Sequence, residues 1–400
     1  MIRVLRILNR FNLGGPTYNA AYLTRYLPAE FETLLVGGKN DPSEKNSEFI
    51  PNQLGVTPVI VETMRRSLSP TQDLSAFRQI RKIIREYKPH IVHTHASKAG
   101  ALGRLAARAE KVPVIVHTFH GHVFDAYFSH LKAGFYKNIE RYLAGVSTGI
   151  IAISDIQKYD LSIKYRMCPE EKIRVIPLGF DLSRFREDQE RKRIAFREKY
   201  QIKEDELAIG IVGRLVPIKN HNLFLEALHI LRQKSQAKIR AFIIGDGESR
   251  QSIETKARHL NFGFVDWQKN RRTAFLTFTG WITEMGQVNA GMDIIALCSL
   301  NEGTPVSLIE AQAAGKPIVS TNVGGIGNIV LPGETALLTK SFDPEEFASQ
   351  LLLLVENEAL REKMGRGGWE LVSHKFHYQR LVNDTVEYYY ELLSGKGIKP

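Results

Sequence analysis

The fold is decided by residues 298–317, which read CSLNEGTPVSLIEAQAAGKP. The five residues before this stretch, 293–297, form a short apolar run typical of a buried strand, and Pro317 starts a second such run. Between the two runs, Pro305 suits the first turn of a helix and Gly315 suits its end. The stretch therefore predicts a strand–loop–helix–strand unit of a parallel α/β sheet.

Two carboxylates in this unit are candidates for ligand binding. Glu302 falls at the carboxyl end of the predicted strand, where open α/β sheets bind ligands, and Glu310 lies farther along the helix. The free backbone N–H groups near residues 305–308, at the positive end of the helix dipole, face the carboxyl end of the same strand. The pair suits a ligand with hydroxyls at one end and a phosphate beside them. The alternative is an ordinary crossover with two incidental surface glutamates.

Length and composition predict a soluble protein of two domains. The chain has 400 residues, too many for one ordinary core, with 43% hydrophobic and 24% charged residues. Two cysteines, Cys168 and Cys298, cannot build a disulfide framework, which favours a reducing cytoplasm. A strand-like run begins almost at Met1, so we expect no signal peptide, and no apolar run has the roughly 18 residues that span a bilayer.

The net charge of +11 predicts an anionic partner. Nucleic acid is the least supported, because the chain has no zinc-finger spacing, RNP motif or basic tract with interleaved aromatics. Residues 124–143 are aromatic and basic together, including Phe128, Lys132, Phe135 and Lys137. They form either an interfacial patch for an anionic membrane, or a helix with core aromatics and solvated charges.

The first half of the chain alternates strand and helix patterns. The first strand leads through Gly14-Gly15 into a helix from about Thr17 to Tyr26. This glycine pair either lets the backbone approach a phosphate or sugar, or makes a tight turn. The dinucleotide-binding pattern G-x-G-x-x-G is absent.

Five histidines lie between residues 93 and 122, on or just after two predicted strands. Alternation places His93 and His95 on one face of the sheet and Thr94 on the other. A metal site is disfavoured, because no Glu-x-x-His or Cys companion accompanies them. We expect them to serve hydrogen bonding or acid–base work at strand ends.

The second half restarts the alternation with a buried strand from Ala208 to Gly213. Arg214 and Lys219 then flank a loop that opens a helix, and a forked guanidinium with an ammonium suits a diphosphate. Further strand-to-glycine turns occur at Gly245 and at Thr279-Gly280.

Taken in order, these motifs resemble the retaining, nucleotide-sugar-dependent glycosyltransferases of family 4, which have the GT-B fold. Glu302-Gly303-x-Pro305, with Glu310 eight residues after Glu302, is similar to the E-x7-E signature of that family. The resemblance implies an α/β protein with two Rossmann-like domains facing each other across a cleft. The domains are expected at 1–183, rejoined by the C-terminal helix 376–400, and at 184–375.

The resemblance also implies roles for single residues. His120 would line the cleft near the donor sugar, Arg214 and Lys219 would hold the diphosphate, Glu302 the sugar hydroxyls and Glu310 the ribose. We expect the catalytic set to be His120, Glu302, Arg214 and Lys219. The expected nucleotide-sugar-binding set is Gly14, Gly15, Gly213, Arg214, Lys219, Gly245, Thr279, Gly280, Glu302, Gly303, Thr304, Pro305, Val306 and Glu310.

Two positions depart from the family pattern. Pro89-His90 stands where the motif D-x-x-H-x-H, whose second histidine is His95, carries its acidic residue. Asn328 stands where relatives commonly have Glu, and a neutral amide cannot accept the same charge-assisted bonds, so it receives no role.

The implied function is retaining transfer of a sugar from a nucleoside-diphosphate sugar, UDP-linked, to a cytoplasmically exposed sugar or lipid-linked acceptor. No cofactor and no metal are expected, because basic side chains take the electrostatic role of an ion. The protein is expected in the cytoplasm or peripherally on the inner face of the cell membrane. The alternatives are a nucleotide-sugar epimerase or hydrolase, and a non-catalytic sugar-nucleotide binder.

Overall fold

The computed structural model describes residues 1–11, 15–39, 47–65, 67, 69–120 and 130–398, with residues 130–133 and 135 described by their backbone alone. The chain divides into two compact units. The first comprises Met1–Phe180 and Lys375–Pro400, and the second Asp181–His374. The sequence prediction placed the division at residue 183.

The first unit is built on a parallel sheet with the strand order β3-β2-β1-β4-β5-β6-β7. Its strands are β1 Ile2–Leu8, β2 Phe31–Gly38, β3 Val59–Val61, β4 Ile91–His95, β5 Val114–Phe119, β6 Gly149–Ala152 and β7 Ile173–Val175. Its helices before the division are α1 Gly15–Tyr26, α2 Phe49–Gln53, α3 Pro70–Tyr87, α4 Ser97–Ala109, α5 His130–Val146 and α6 Asp155–Tyr159. The strand order reverses between β1 and β4, and such a switch point opens a crevice at the carboxyl ends of the strands.

The second unit repeats this plan with the strand order β10-β11-β9-β8-β12-β13-β14, again parallel. Its strands are β8 Glu206–Val212, β9 Lys238–Ile244, β10 Phe264–Asp266, β11 Leu276–Gly280, β12 Ile294–Leu297, β13 Ile318–Thr321 and β14 Ala336–Thr339. The helices that follow the division are α7 Gln189–Lys199, α8 His221–Lys234, α9 Arg250–His259, α10 Met285–Gly291, α11 Val306–Ala313, α12 Pro344–Glu356, α13 Glu358–Lys375 and α14 Tyr378–Ser394. Here the switch point lies between β8 and β12.

Both faces of each sheet are covered, which explains the nearly continuous apolar runs of the strands. In the first unit, Val4 and Ile91 pack on one face with Tyr389 of α14, while Leu5 and Val92 pack on the other face. The last helix, α14, thus lies in the first unit. Across the described helices, no segment combines the length and apolar character that crossing a bilayer requires.

The organising stretch folds as a strand, a loop and a helix, with one shift from the prediction. Helix α11 begins at Val306, so Pro305 directly precedes the helix instead of lying in its first turn. Proline has no N–H, and the N–H of Leu308 donates to the Pro305 carbonyl oxygen across 3.1 Å. The N–H groups directed out of this helix end are therefore those of Val306 and Ser307, fewer than the sequence suggested. Gly315 lies beyond the last turn with φ +66°.

Candidate active site

The switch point of the second sheet brings together Lys219 and Glu302, which are 83 positions apart in the chain. Lys219 lies in the loop from β8 to α8, and Glu302 lies in the loop from β12 to α11. Because β8 and β12 are paired neighbours, the two loops leave the same edge of the sheet side by side. The Lys219 Nζ donates to Glu302 Oε1 across 2.5 Å, and both side chains are largely buried.

Glu302 is fixed by further hydrogen bonds within its own sheet edge. The Ser299 hydroxyl donates to Glu302 Oε1 across 2.5 Å, and the Thr321 hydroxyl donates to the Ser299 carbonyl oxygen across 2.7 Å. The backbone N–H of Gly325 donates to the Glu302 carbonyl oxygen across 3.0 Å. Lys219 and Ser299 both contact Oε1, so with respect to the described residues Oε2 is left to accept from a ligand hydroxyl.

A glycine pair lets the loop after β13 approach the Glu302 loop closely. Gly324 has φ +53°, and a Cβ there would lie 2.0 Å from the Glu302 carbonyl oxygen. A Cβ on Gly325 would lie 1.8 Å from the carbonyl oxygen of Gly303. Any side chain at either position would push the Glu302 loop out of place.

The second carboxylate, Glu310, has a different environment. It is buried on α11, and its Oε1 lies 3.3 Å from Nη2 of Arg184. Burial raises the pKa of Glu310 to about 7, and the Arg184 guanidinium opposes that rise. The position on the helix separates this carboxylate from Glu302 in the loop, as the sequence predicted.

The ends of β8, β9 and β11 meet through three predicted glycines. The N–H of Gly213 donates to Ile244, and the N–H of Gly245 donates to Gly280, each across 3.0 Å to a carbonyl oxygen. Gly245 has φ +135°, and a Cβ there would lie 2.0 Å from the Gly213 carbonyl oxygen. The exposed Arg214 follows this contact.

Thr279 is turned into the sheet. Its hydroxyl is buried and donates to the Gly280 carbonyl oxygen across 2.9 Å. A nucleotide at this edge could therefore meet the backbone at Thr279, but its side chain is already engaged. Of the remaining predicted residues in the α11 loop, Pro305 is buried, Thr304 and Val306 are half-buried and Gly303 is exposed.

In the first unit, a buried polar network lies at the carboxyl ends of β1, β4 and β5. His93 and His95 share one face with Arg6, and Thr94 faces the other way to contact His117. His95 Nδ1 lies 2.9 Å from Nε2 of His120. The predicted alternation and the position of His120 at a strand end agree with this arrangement.

Burial holds these imidazoles neutral. The pKa values of His93 and His95 lie well below the ordinary range because of burial, with Arg6 contributing to both, and burial lowers the pKa of His120 to about 3. Among the described residues, no group of three or more His, Cys, Asp or Glu side chains is arranged to hold a metal ion. Gly14 and His122 lie outside the described residues, and Gly15 is the first residue of α1.

The aromatic, basic segment 124–143 is described only in part. Phe128 lies outside the described residues, and the side chains of Lys132 and Phe135 are not described. Tyr136 packs partly buried against the core, whereas Tyr142 on the same helix is 56% exposed. The segment thus combines core and surface aromatics.

Sequence reasoning missed three residues of these two sites. Arg6 could have been noticed as a lone charge inside the apolar run of β1. Arg184 lies at the predicted start of the second domain, and nothing in the local sequence links it to Glu310. Ser299 directly precedes the recognised loop, but its bond to Glu302 depends on the turn geometry.

Two Rossmann-like units with polar residues at the switch point of each sheet define the architecture of GT-B glycosyltransferases. The model of the family described as "Glycosyltransferase Family 4" matches residues 13–184, and the model described as "Glycosyl transferases group 1" matches residues 192–370. Together they account for most of the chain.

Individual proteins agree with these matches. The chain is 28% identical over 338 residues to the UDP-Gal:alpha-D-GlcNAc-diphosphoundecaprenol alpha-1,3-galactosyltransferase of Escherichia coli, covering 84% of each protein. It is 26% identical to the capsular polysaccharide biosynthesis glycosyltransferase CapM of Staphylococcus aureus, over 82% of this chain and 83% of CapM. Anabaena Alr3699/HepE, solved in complex with UDP, shares the fold with a TM-score of 0.78 at 17% identity, over 98% of this chain and 100% of that one. The chain belongs to the family 4 glycosyltransferases.

Proposed function

We propose that this glycosyltransferase transfers a sugar, with retention of anomeric configuration, from a UDP-sugar to a lipid-linked or cell-surface polysaccharide precursor. The contact between Lys219 and Glu302 at the switch point of the second sheet carries the proposal. It places a cation suited to a phosphate beside a carboxylate suited to sugar hydroxyls. The names of the relatives support the substrate classes, because one uses UDP-Gal with a diphosphoundecaprenol acceptor and another acts in capsular polysaccharide biosynthesis.

In this proposal the second domain, 184–375, binds the donor. Arg214 and Lys219 bind the diphosphate and stabilise the charge that develops on it as the glycosidic C–O bond breaks. The N–H groups of Val306 and Ser307 add the positive end of α11. Glu302 accepts from sugar hydroxyls through Oε2, Glu310 accepts from the ribose, and the backbone at Gly213, Gly245, Thr279 and Gly280 borders the nucleotide.

The first domain, 1–183 with the returning C-terminal helix, serves the acceptor, and His120 is its catalytic residue. The proton of the acceptor hydroxyl passes to the leaving phosphate oxygen. The reaction needs no cofactor and no metal ion, because Arg214 and Lys219 supply the positive charge. Peripheral contact with an anionic membrane at the cytoplasmic face would bring a lipid-linked acceptor within reach, and the net charge of +11 favours it.

The first step of the test is to find which nucleotide sugar raises the melting temperature of the protein, because only a ligand that binds the native state does so. That sugar is then incubated with candidate lipid-linked acceptors, and product and UDP are measured together, with the anomeric configuration read by NMR. A non-catalytic binder would be stabilised without turnover, and an epimerase or hydrolase would convert the donor with no acceptor present. Either result, or an inverted product, contradicts the proposal.

A further inference from the structure

Arg6 is a buried cation in the polar network at the carboxyl ends of β1, β4 and β5. Its side chain is 0% exposed in β1, and among the described residues it has no carboxylate partner. Its Nε and Nη2 are buried without a hydrogen-bond partner in the same part of the chain. An unpaired buried guanidinium is costly, and an apolar side chain would serve the core better. Stability therefore does not explain Arg6.

Arg6 contacts the hydroxyl of Tyr389 and two histidine nitrogens. Its Nη1 lies 2.9 Å from Nδ1 of His93 and 3.5 Å from Nε2 of His95. A guanidinium only donates, so both of these nitrogens must present lone pairs. Because each imidazole is neutral and carries one N–H, His93 is protonated on Nε2 and His95 on Nδ1.

Each assignment is consistent with the next partner. The Thr118 hydroxyl, 2.7 Å from His93 Nε2, can accept from it, and the Tyr389 hydroxyl lies 2.6 Å from His93 Nδ1. His95 Nδ1 donates to His120 Nε2 across 2.9 Å. His120 Nε2 is then an acceptor, and the proton of His120 lies on Nδ1.

We infer that Arg6 is a positioning residue that, acting through His95, fixes His120 as a donor of its Nδ1–H to a hydroxyl of the ligand bound at this sheet edge. His120 Nδ1 is buried and has no hydrogen-bond partner among the described residues, so the N–H is available to a ligand. His120 then has no lone pair to spare and cannot take the proton of the acceptor hydroxyl. The inference rests on the proposed function for the identity of the ligand, whereas the order of tautomers rests on this unit alone.

The experiment is long-range proton–nitrogen NMR of protein labelled with nitrogen-15 histidine, with signals assigned through His95→Gln and His120→Gln. We expect wild-type His95 and His120 to be protonated on Nδ1 and His93 on Nε2. In Arg6→Met, His95 and His120 should shift toward the Nε2–H form, and Arg6→Lys should restore part of the wild-type pattern. Arg104→Met is the control, because Arg104 is equally buried in this unit but pairs with Glu140.

Kinetics separate a positioning role from a merely structural one. Arg6→Met should lower transfer on the order of tenfold, the loss of about one hydrogen bond, while the dissociation constant for UDP stays unchanged. Wild-type His120 protonated on Nε2, or unchanged tautomers in Arg6→Met, would overturn the inference. If Arg6→Met does not fold, the histidine tautomers of the wild-type protein and of Arg6→Lys still test the inference. Absence of turnover with every nucleotide sugar would refute the proposed function, but the tautomers would still answer the inference.

Discussion

The ammonium of Lys219 contacts the carboxylate of Glu302 at 2.5 Å, joining the loops that leave two neighbouring strands of one sheet. The ammonium has three N–H donors, and this contact uses one of them. Under the proposed function, the other N–H groups would bind a phosphate, and the bond to Glu302 would hold the cation in place. In the proposed function, this pair of side chains would couple recognition of the sugar to recognition of the diphosphate.

Removing either cation should weaken donor binding and turnover. Lys219→Ala or Arg214→Ala removes a charge-assisted contact to the diphosphate of about 1.5–3 kcal/mol, so kcat/KM should fall roughly ten- to a hundred-fold or more. Lys234→Ala, a surface lysine of the same unit paired with Glu345, is the matched control. Wild-type kcat/KM in both site variants would refute the diphosphate assignment.

Burial of Glu310 predicts a pH-dependent cost to stability. The folded-state pKa of Glu310, about 7, lies above the usual 4.5, so the protonated carboxyl is more stable in the folded protein than in the unfolded chain. The free energy of unfolding therefore contains a contribution from this proton that is full below about pH 4.5 and is lost as the pH rises through 7. Glu310→Gln cannot ionise, so its free energy of unfolding relative to wild type should increase by about 2–3 kcal/mol between pH 4.5 and pH 8.

Urea unfolding at several pH values measures this difference, with the solvent-exposed Glu358→Gln as the control. If the difference in free energy of unfolding between Glu310→Gln and wild type stays constant across this pH range, burial does not raise the pKa of Glu310.

Transfer should persist in EDTA. Arg214 and Lys219 supply the positive charge that a divalent ion gives to the leaving diphosphate in other enzymes. The rate is measured after chelation and again after manganese or magnesium is added back. Complete loss of activity with EDTA, reversed by either ion, would mean that the reaction depends on a metal.

The protein should bind anionic vesicles and leave them at high salt. Lys132→Glu with Lys137→Glu should weaken binding, since both lie on α5 in the aromatic, basic segment. The same charge change at Lys340 and Lys363, which are exposed in the second unit, is the control. Equal, salt-independent partitioning onto neutral and anionic vesicles would favour the core interpretation of the aromatics.

The fold followed from local patterns wherever strands were buried on both faces. Residues 293–297 form a short apolar run, and this run predicted a strand within one residue of the observed bounds, Ile294–Leu297. The prediction that Pro305 lies in the first turn of α11 was wrong by one position, because the helix begins at Val306. Proline suits the residue before a helix as well as its first turn.

The sequence named some of the residues that the structure brings together, but not their contacts. Lys219 and Glu302 were recognised from motifs, yet their hydrogen bond depends on β8 and β12 being neighbours, which periodicity does not encode. The partnership of Arg184 with Glu310 likewise joins residues 126 positions apart. The pKa of Glu310 follows from its burial, which only packing determines.

The central claim is that Glu310 serves the nucleotide and Glu302 the sugar, and calorimetric titration with UDP beside steady-state transfer tests it most directly. Glu310→Ala should weaken UDP binding by about 1.5–3 kcal/mol, because both ribose hydroxyls lose a charged acceptor. Glu302→Ala should leave UDP affinity nearly unchanged and lower turnover, because its bonds are to the group that moves in the transition state. Loss of UDP binding in Glu302→Ala, with wild-type binding in Glu310→Ala, would contradict this placement of the donor.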